Sequence, residues 1–497
     1  MTTQKRLKSH KSDQQAYLGY CVSPGDVIDT VDLAQISQRE FASNYIFSRK
    51  PCILRSSAGL VPLLGQTFSL DNFKSGTLLK TLDCEDGKQT VQIELKSDGG
   101  FGSGKKRIKM SLKGVLEAFK NNDSSIYLTT QYGNEEDEED EDDKNDKKYE
   151  QDQEQYEDDD DDDEPEHENE QEEDQFFGPD DNVSDSGSSI DFNEVEDDYD
   201  DRLSVSGQEP MTLQEAESRC SDLFQPPLTC LLTNPDILPL NVKLFEALVP
   251  QQVNLWMGLT AEETSSSAFQ ADLTKPDLGL GKRVPFGTSS GLHHDHSDNL
   301  YIPVTGCKRF TVYSPSEYKQ MYTVGRVNQL YNSGVIDYHP DERAPNWRTT
   351  NADGSMTDCN TYEENLHESG AESALKCDQD PPSFSRVPPL LANIDQVSDP
   401  EVKKQLTDVA NVRFPGFLDA NSLKIELNPG DALYLPAGWF HEVTSTGDFQ
   451  DEIPGIHTAI NYWFAPPDGT AEKPYTTPFW RNDFARTARA IDERRTK

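Results

Sequence analysis

Three of the nine histidines in this 497-residue chain fall within four positions, in the string GLHHDHSDNLYIPV (Gly291 to Val304). On a strand, residues two apart project to one face, so His293 and Asp295 would present an imidazole and a carboxylate together, with His294 turned away. Those are two of the three groups in a 2-His-1-carboxylate triad, which holds Fe(II) and leaves positions open for substrate and oxygen. The pair alone is a weak signal, because His/Asp clusters on surfaces are usually just solvated. A second string, NPGDALYLPAGWFHEV (Asn428 to Val443), changes the balance. A Pro-Gly-Asp turn, a hydrophobic strand (Ala432 to Leu435) and a Pro-Ala-Gly turn lead into Trp439, Phe440 and His441. That path can set His441 beside the first pair. An isolated histidine next to two aromatics would read as core; in this context it reads as a ligand.

Lys308, in TGCKRFTVYSP, lies fifteen residues beyond His293. The offset is odd, so a turn or bulge at Thr305-Gly306 must reset the register if both side chains face one interior. A lysine aimed into a barrel is a costly buried charge unless it meets an anion. A dicarboxylate cosubstrate would supply one. The competing reading is an exposed strand lysine beside Arg309.

The elements that must position these groups are partly legible. Ser37 to Ile46 has Phe41, Tyr45 and Ile46 at helical spacing, with Ser37 as N-cap. Lys50-Pro51 breaks that helix and Cys52-Ile53-Leu54 starts a strand. Thr90 to Leu95 alternates as a half-buried strand, Ser111 to Phe119 is amphipathic, and Ser125 to Thr129 is a further strand. Aliphatic residues nearly vanish from Asn134 to about Gln208, and the apolar pattern resumes near Leu223. A polar interval, about Asp341 to Ser385, reads as a long loop or insertion, and Phe479 to Lys497 has helical periodicity with a basic end. The expected organisation is a flexible 1–15, a first folded part at 16–133, a disordered acidic insertion at 134–208, a second folded part of the same domain at 209–470 interrupted at about 341–385, and a C-terminal helix at 471–497.

The formal charge is −44, from 46 Lys+Arg and 90 Asp+Glu. That balance argues against duplex nucleic-acid binding, since each phosphate contact needs a cation. It is also uneven. Between Glu135 and Asp201 stand 37 acidic residues against three lysines, leaving only −10 on the rest of the chain. Self-repulsion and missing core formers predict disorder there, with a solubilising spacer as the plain role and capture of basic partners as the sharper one. No apolar run is long enough to span a membrane, and the N-terminus lacks the apolar core of a secretory signal. The eight cysteines are scattered without a CxxC pair, which disfavours a zinc ribbon and predicts reduced thiols. The expected location is the cytoplasm, with the nucleus as the alternative; Lys5, Arg6, Lys8 and Lys11 read as a frayed end rather than a nuclear signal.

At NLWMG (Asn254 to Gly258), SGLHHDHSDNLYIPVTGCKRFTVYSP (Ser290 to Pro315), PGDALYLPAGWFHEV (Pro429 to Val443) and INYWF (Ile460 to Phe464), the chain resembles the JmjC branch of Fe(II)/2-oxoglutarate oxygenases. SRKPCILR (Ser48 to Arg55) looks like that family's N-terminal strand. Within the branch it is similar to the jumonji-domain-containing-seven type of protein lysyl hydroxylase. The likeness covers about 35–130 and 222–465. It implies a mainly β fold, a double-stranded β-helix (cupin-like jelly-roll) with flanking helices. It also implies Fe(II) on His293, Asp295 and His441, with O2 and 2-oxoglutarate as co-reactants. Lys308 would pair with the distal carboxylate of 2-oxoglutarate, and Tyr127 and Ser290 would donate hydroxyl hydrogen bonds to it. Asn299 and Asn461 match polar positions lining the site. The implied activity is hydroxylation of a lysine side chain on a protein substrate, a translation-associated GTPase by resemblance, with release of succinate and CO2. Lysine demethylation shares the iron chemistry, and a non-catalytic module recruiting basic partners is the reading from another class.

Overall fold

The computed structural model describes residues 17–56, 59–85, 87–96, 100–102, 107–131, 211–260, 269–345, 347–356, 380–447, 453 and 455–496. The flexible N-terminus and acidic insertion expected at 1–15 and 134–208, and the middle of the 341–385 interval, lie outside these residues. Alternation of apolar and polar side chains produces sixteen strands among the described residues. Nine form one sheet, in the order β1 (Asp29–Asp32), β2 (Cys52–Arg55), β14 (Asp431–Leu435), β9 (Asp298–Thr305), β16 (Ile456–Phe464), β6 (Pro250–Leu259), β5 (Ile126–Leu128), β3 (Thr90–Leu95) and β4 (Arg107–Ser111). Five form a second, in the order β13 (Ser422–Leu427), β10 (Cys307–Tyr313), β15 (Phe440–Thr446), β8 (Gly287–His294) and β7 (Arg283–Val284). A two-stranded ribbon, β11 (Val327–Leu330) with β12 (Ile336–Tyr338), completes the set.

The two large sheets face each other as the jelly-roll that the sequence led us to expect. Tyr301, Leu433, Leu435 and Ala459 from the first pack with Phe310, Val312, Ile425 and Val443 from the second in one buried cluster. The strands alternate faces, so Leu300, Ile302 and Val304 of β9 and Ile460, Tyr462 and Phe464 of β16 point outward into a second cluster under the helices. Those helices include α1 (Gln38–Phe41), closed by a Ser37/Glu40 capping box, and α2 (Leu112–Lys120), capped by Ser111. On the far side of the five-stranded sheet, α4 (Pro400–Arg413) buries Val402, Leu406, Val409 and Ala410; α3 (Leu213–Leu223) precedes it in the chain. The C-terminal helix α5 (Phe479–Thr496) is packed against its own chain. Its Asp483 pairs with Arg219 of α3 at 2.8 Å, and Trp480 donates to the Asp353 carbonyl at 2.8 Å. No helix among the described residues is long and apolar enough to cross a membrane.

Two findings bear on expectations above. Cys84 and Cys230 are joined by a disulfide across 146 residues, against the expectation of reduced thiols. Spacing along the chain could not show it, because only the packed fold brings the two Cα atoms to 5.5 Å. The register reset does fall at Gly306. Its φ of 68° turns the chain out of β9 in one sheet and straight into β10 in the other. A Cβ there would lie 2.5 Å from the Thr446 carbonyl oxygen, so glycine is required.

The turn that carries His441 is tied to the N-terminal segment by a buried ion pair. Arg49 donates to both oxygens of Asp298, which also accepts from Tyr434 Oη at 2.7 Å and Ala437 N at 3.0 Å. Trp439 Nε1 in turn donates to the Arg49 carbonyl at 3.2 Å. Removing one partner strands a buried charge, so Asp298→Ala should cost about 3–5 kcal/mol. A shift in urea midpoint with unchanged slope checks it; a loss under about 1 kcal/mol would contradict it.

Candidate metal centre

His293 lies at the end of β8 and His441 near the start of β15, and the two are direct cross-strand partners, so their side chains share one face. Their ring centroids are 4.3 Å apart. Asp295, one residue past β8, turns its carboxylate between them. Oδ1 is 3.8 Å from His293 Nε2, and Oδ2 is 3.8 Å from His441 Nε2. One donor atom from each of the three lies within 4.8 Å of the others, the single such cluster among the described residues. The Asp295 carbonyl accepts from Gly438 N at 2.8 Å, which pins the loop to the turn before His441.

Both imidazoles are set for ligation by their backbones. His293 Nδ1 sits 3.1 Å from the Gly291 carbonyl and His441 Nδ1 is 2.9 Å from that of Trp439. A carbonyl only accepts, so each Nδ1 carries a hydrogen and Nε2 is the ring nitrogen turned toward Asp295 in both. Burial, reinforced by His441 nearby, holds the His293 pKa well below the ordinary histidine range, and the neutral ring is the metal-binding form. Burial also raises the Asp295 carboxyl, opposed by His441 and by a hydrogen bond from Asn299 Nδ2 at 3.2 Å. His294 points the other way, as expected, and its Nε2 is 2.6 Å from Tyr338 Oη. Two imidazoles and one carboxylate, with one ligand atom from each close to the others, fit Fe(II) of the non-haem type.

Lys308 is fully buried in the same barrel, opposite Ser445 of β15. Its ammonium donates to Ser445 Oγ at 2.6 Å, His457 Nδ1 at 3.2 Å and, at the limit, Tyr127 Oη at 3.5 Å. No carboxylate forms an ion pair with it among the described residues. Burial, then the nearby charge of Lys96, drives its pKa well below the ordinary lysine range. A buried ammonium held only by neutral groups is a receptor for an anion, which fits a dicarboxylate. Tyr127 reaches it because Gly258, its cross-strand partner, has no side chain. A Cβ there would lie 2.5 Å from the Tyr127 ring. Phe101 stacks on the other side at 3.8 Å.

The remaining expected residues fall as follows. Asn299 holds Asp295, and Asn461 Nδ2 donates to Asn299 Oδ1 at 3.1 Å. Ser290 sits in a β-bulge of β8, where its hydroxyl donates to the Gly291 carbonyl at 2.8 Å and accepts from Val443 N at 3.2 Å. The hydroxyl on Lys308 is that of Ser445. Sequence reasoning missed Ser445 and His457, although strand alternation carried the signal: each lies four residues from a recognised inward position, His441 and Asn461. It also missed Phe384, which stacks on His293 with centroids 4.8 Å apart and planes within 10°. Phe384 belongs to the interval 341–385 that composition marks as loop, and nothing local distinguishes it.

Residues 37–470 match the model of a family described as the cupin-like domain. JmjC domain-containing protein 4 of Schizosaccharomyces pombe is 24% identical over 527 residues, spanning 92% of this chain and 89% of that protein. Lysine-specific demethylase JMJ32 of Arabidopsis thaliana is 26% identical over 217 residues, 43% of this chain and 42% of that protein.

Proposed function

Because this chain belongs to the cupin-like domain family, whose JmjC members are generally 2-oxoglutarate-dependent oxygenases, we propose that it is an Fe(II)- and 2-oxoglutarate-dependent hydroxylase of a lysine side chain on a protein substrate. One observation carries the reading: three ligand atoms converge within 4.8 Å in the same barrel that holds a buried, anion-free lysine. His293, Asp295 and His441 would hold the metal. With Fe(II), 2-oxoglutarate and O2 bound, such a centre supplies oxidation of an unactivated C–H bond, with release of succinate and CO2. Lys308 receives the distal carboxylate as a point charge, and because it cannot grip bidentately, the Tyr127 and Ser445 hydroxyls set the angle. Phe101, stacked on Tyr127, and Phe384, stacked on His293, cover those two groups against water, and Asn299 keeps Asp295 in place.

The Arabidopsis relative, a lysine-specific demethylase by name, favours a second reading, lysine demethylation, in which the oxidised carbon is an N-methyl group. A non-catalytic shell is disfavoured by the complete ligand set. The acidic residues between Glu135 and Asp201 suit a basic protein substrate, and the resemblance to lysyl hydroxylases suggests a translation-associated GTPase. The test is succinate formation by purified protein with Fe(II), 2-oxoglutarate, ascorbate and lysine-rich protein substrates. A gain of one oxygen on lysine supports hydroxylation, and formaldehyde from methyl-lysine supports demethylation. Absence of succinate together with absence of any metal-dependent thermal shift would reject the enzyme.

A further inference from the structure

Asp295 is reached by a chain of three hydrogen bonds that starts three side chains away. Trp256 Nε1 donates to Asn461 Oδ1 at 2.8 Å, Asn461 Nδ2 donates to Asn299 Oδ1 at 3.1 Å, and Asn299 Nδ2 donates to Asp295 Oδ2 at 3.2 Å. The three donors sit on the adjacent strands β6, β16 and β9; each link between them runs diagonally, two residues from the direct cross-strand partner, which keeps all three on one face. Asn461 is fully buried and Asn299 nearly so, which shields the links from water.

We propose that Trp256 is a positioning residue for Asp295, acting through Asn461 and Asn299; the inference rests on Asp295 being a metal ligand. An indole nitrogen can only donate, whereas a primary amide can present either its oxygen or its NH2 to a neighbour. Trp256 therefore fixes which end of Asn461 faces it. Asn461 must then offer NH2 to Asn299, and Asn299 must offer NH2 to Asp295. Turning either amide over sets donor against donor and acceptor against acceptor. The two ends of the chain, an indole that only donates and a carboxylate that only accepts, thus demand the same orientation of both amides, and Trp256 holds it from the far end. That contact is charge-assisted, stabilises the ionised form and fixes the plane of the carboxylate, leaving Oδ1 free of it. The indole is itself held between aromatic neighbours, with the Tyr127 and Trp463 rings each 6.4 Å away.

The test uses the full-length, metal-free chain titrated with Mn(II) and followed by electron paramagnetic resonance. Trp256→Phe keeps an aromatic ring and removes the donor, and it should weaken Mn(II) binding about tenfold, the lower end of what loss of an outer partner brings. In an Asn299→Leu background, which severs the last link, Trp256→Phe should cost nothing further, because links in series do not add. A packing role would instead cost the same in both backgrounds. If Trp256→Phe does not fold, Asn461→Leu breaks the middle link and is measured in the same way. Binding equal to the parent's, or a tenfold loss that persists in the Asn299→Leu background, overturns the relay alone. A parent chain that binds no Mn(II) overturns the metal reading and the relay with it.

Discussion

Replacing His293 by alanine should abolish succinate formation while leaving the unfolding midpoint of the metal-free protein close to the parent's. The two outcomes separate because the ring is poised rather than structural. It is only partly buried, its one backbone contact is to Gly291, and the neighbouring Phe384 can settle into the space. The site, by contrast, loses a third of its ligands. The fall in Mn(II) affinity should exceed the roughly 10–100-fold that an outer partner is worth. Unchanged turnover with full metal occupancy would remove His293 from the centre and reject the triad.

Lys308→Met should move two quantities in opposite directions. The KM for 2-oxoglutarate should rise roughly 10- to 100-fold, the worth of a charge-assisted hydrogen bond of about 1.5–3 kcal/mol. The ligand-free fold should be at least as stable as the parent, because a buried lysine that has no counter-ion, and must shed its proton or stand as an unpaired charge, is replaced by an apolar chain of similar length. Most substitutions of fully buried residues destabilise, so the sign is diagnostic. The same group sets a pH dependence. In the empty site burial and Lys96 depress the pKa of Lys308, and an incoming dianion raises it again. Binding therefore takes up a proton at pH values between the depressed and the restored value, and affinity falls as pH rises through that window. Calorimetry in buffers of different ionisation heat reads that proton directly. Lys308→Met should abolish the uptake, and an unchanged KM in that variant would take Lys308 out of the cosubstrate site.

How much of this was legible in the chain follows the range of each interaction. The Ser37 cap, the strand at Cys52–Arg55 and the amphipathic helix at Leu112–Lys120 are set by neighbours a few residues apart, and all formed where the sequence placed them. His293 and Asp295 announced themselves by adjacency, and the turn–strand–turn before His441 by its Pro and Gly residues. Ser445 and His457 were legible in principle, since a period of two fixes which side chains share a face.

What remained needed the closed barrel. The sequence by itself determined which residues can ligate, which strands alternate and where the chain must turn, because those depend on side-chain chemistry and local backbone geometry. Only the tertiary structure decided that His441 stands directly opposite His293, that Lys308 meets Ser445, and that Cys84 and Cys230 join. It also decided that a phenylalanine from a polar interval covers the first histidine. Each of those is a contact between distant segments. Which segments meet depends on how two twisted sheets pack, and packing is settled by the whole set of buried side chains at once.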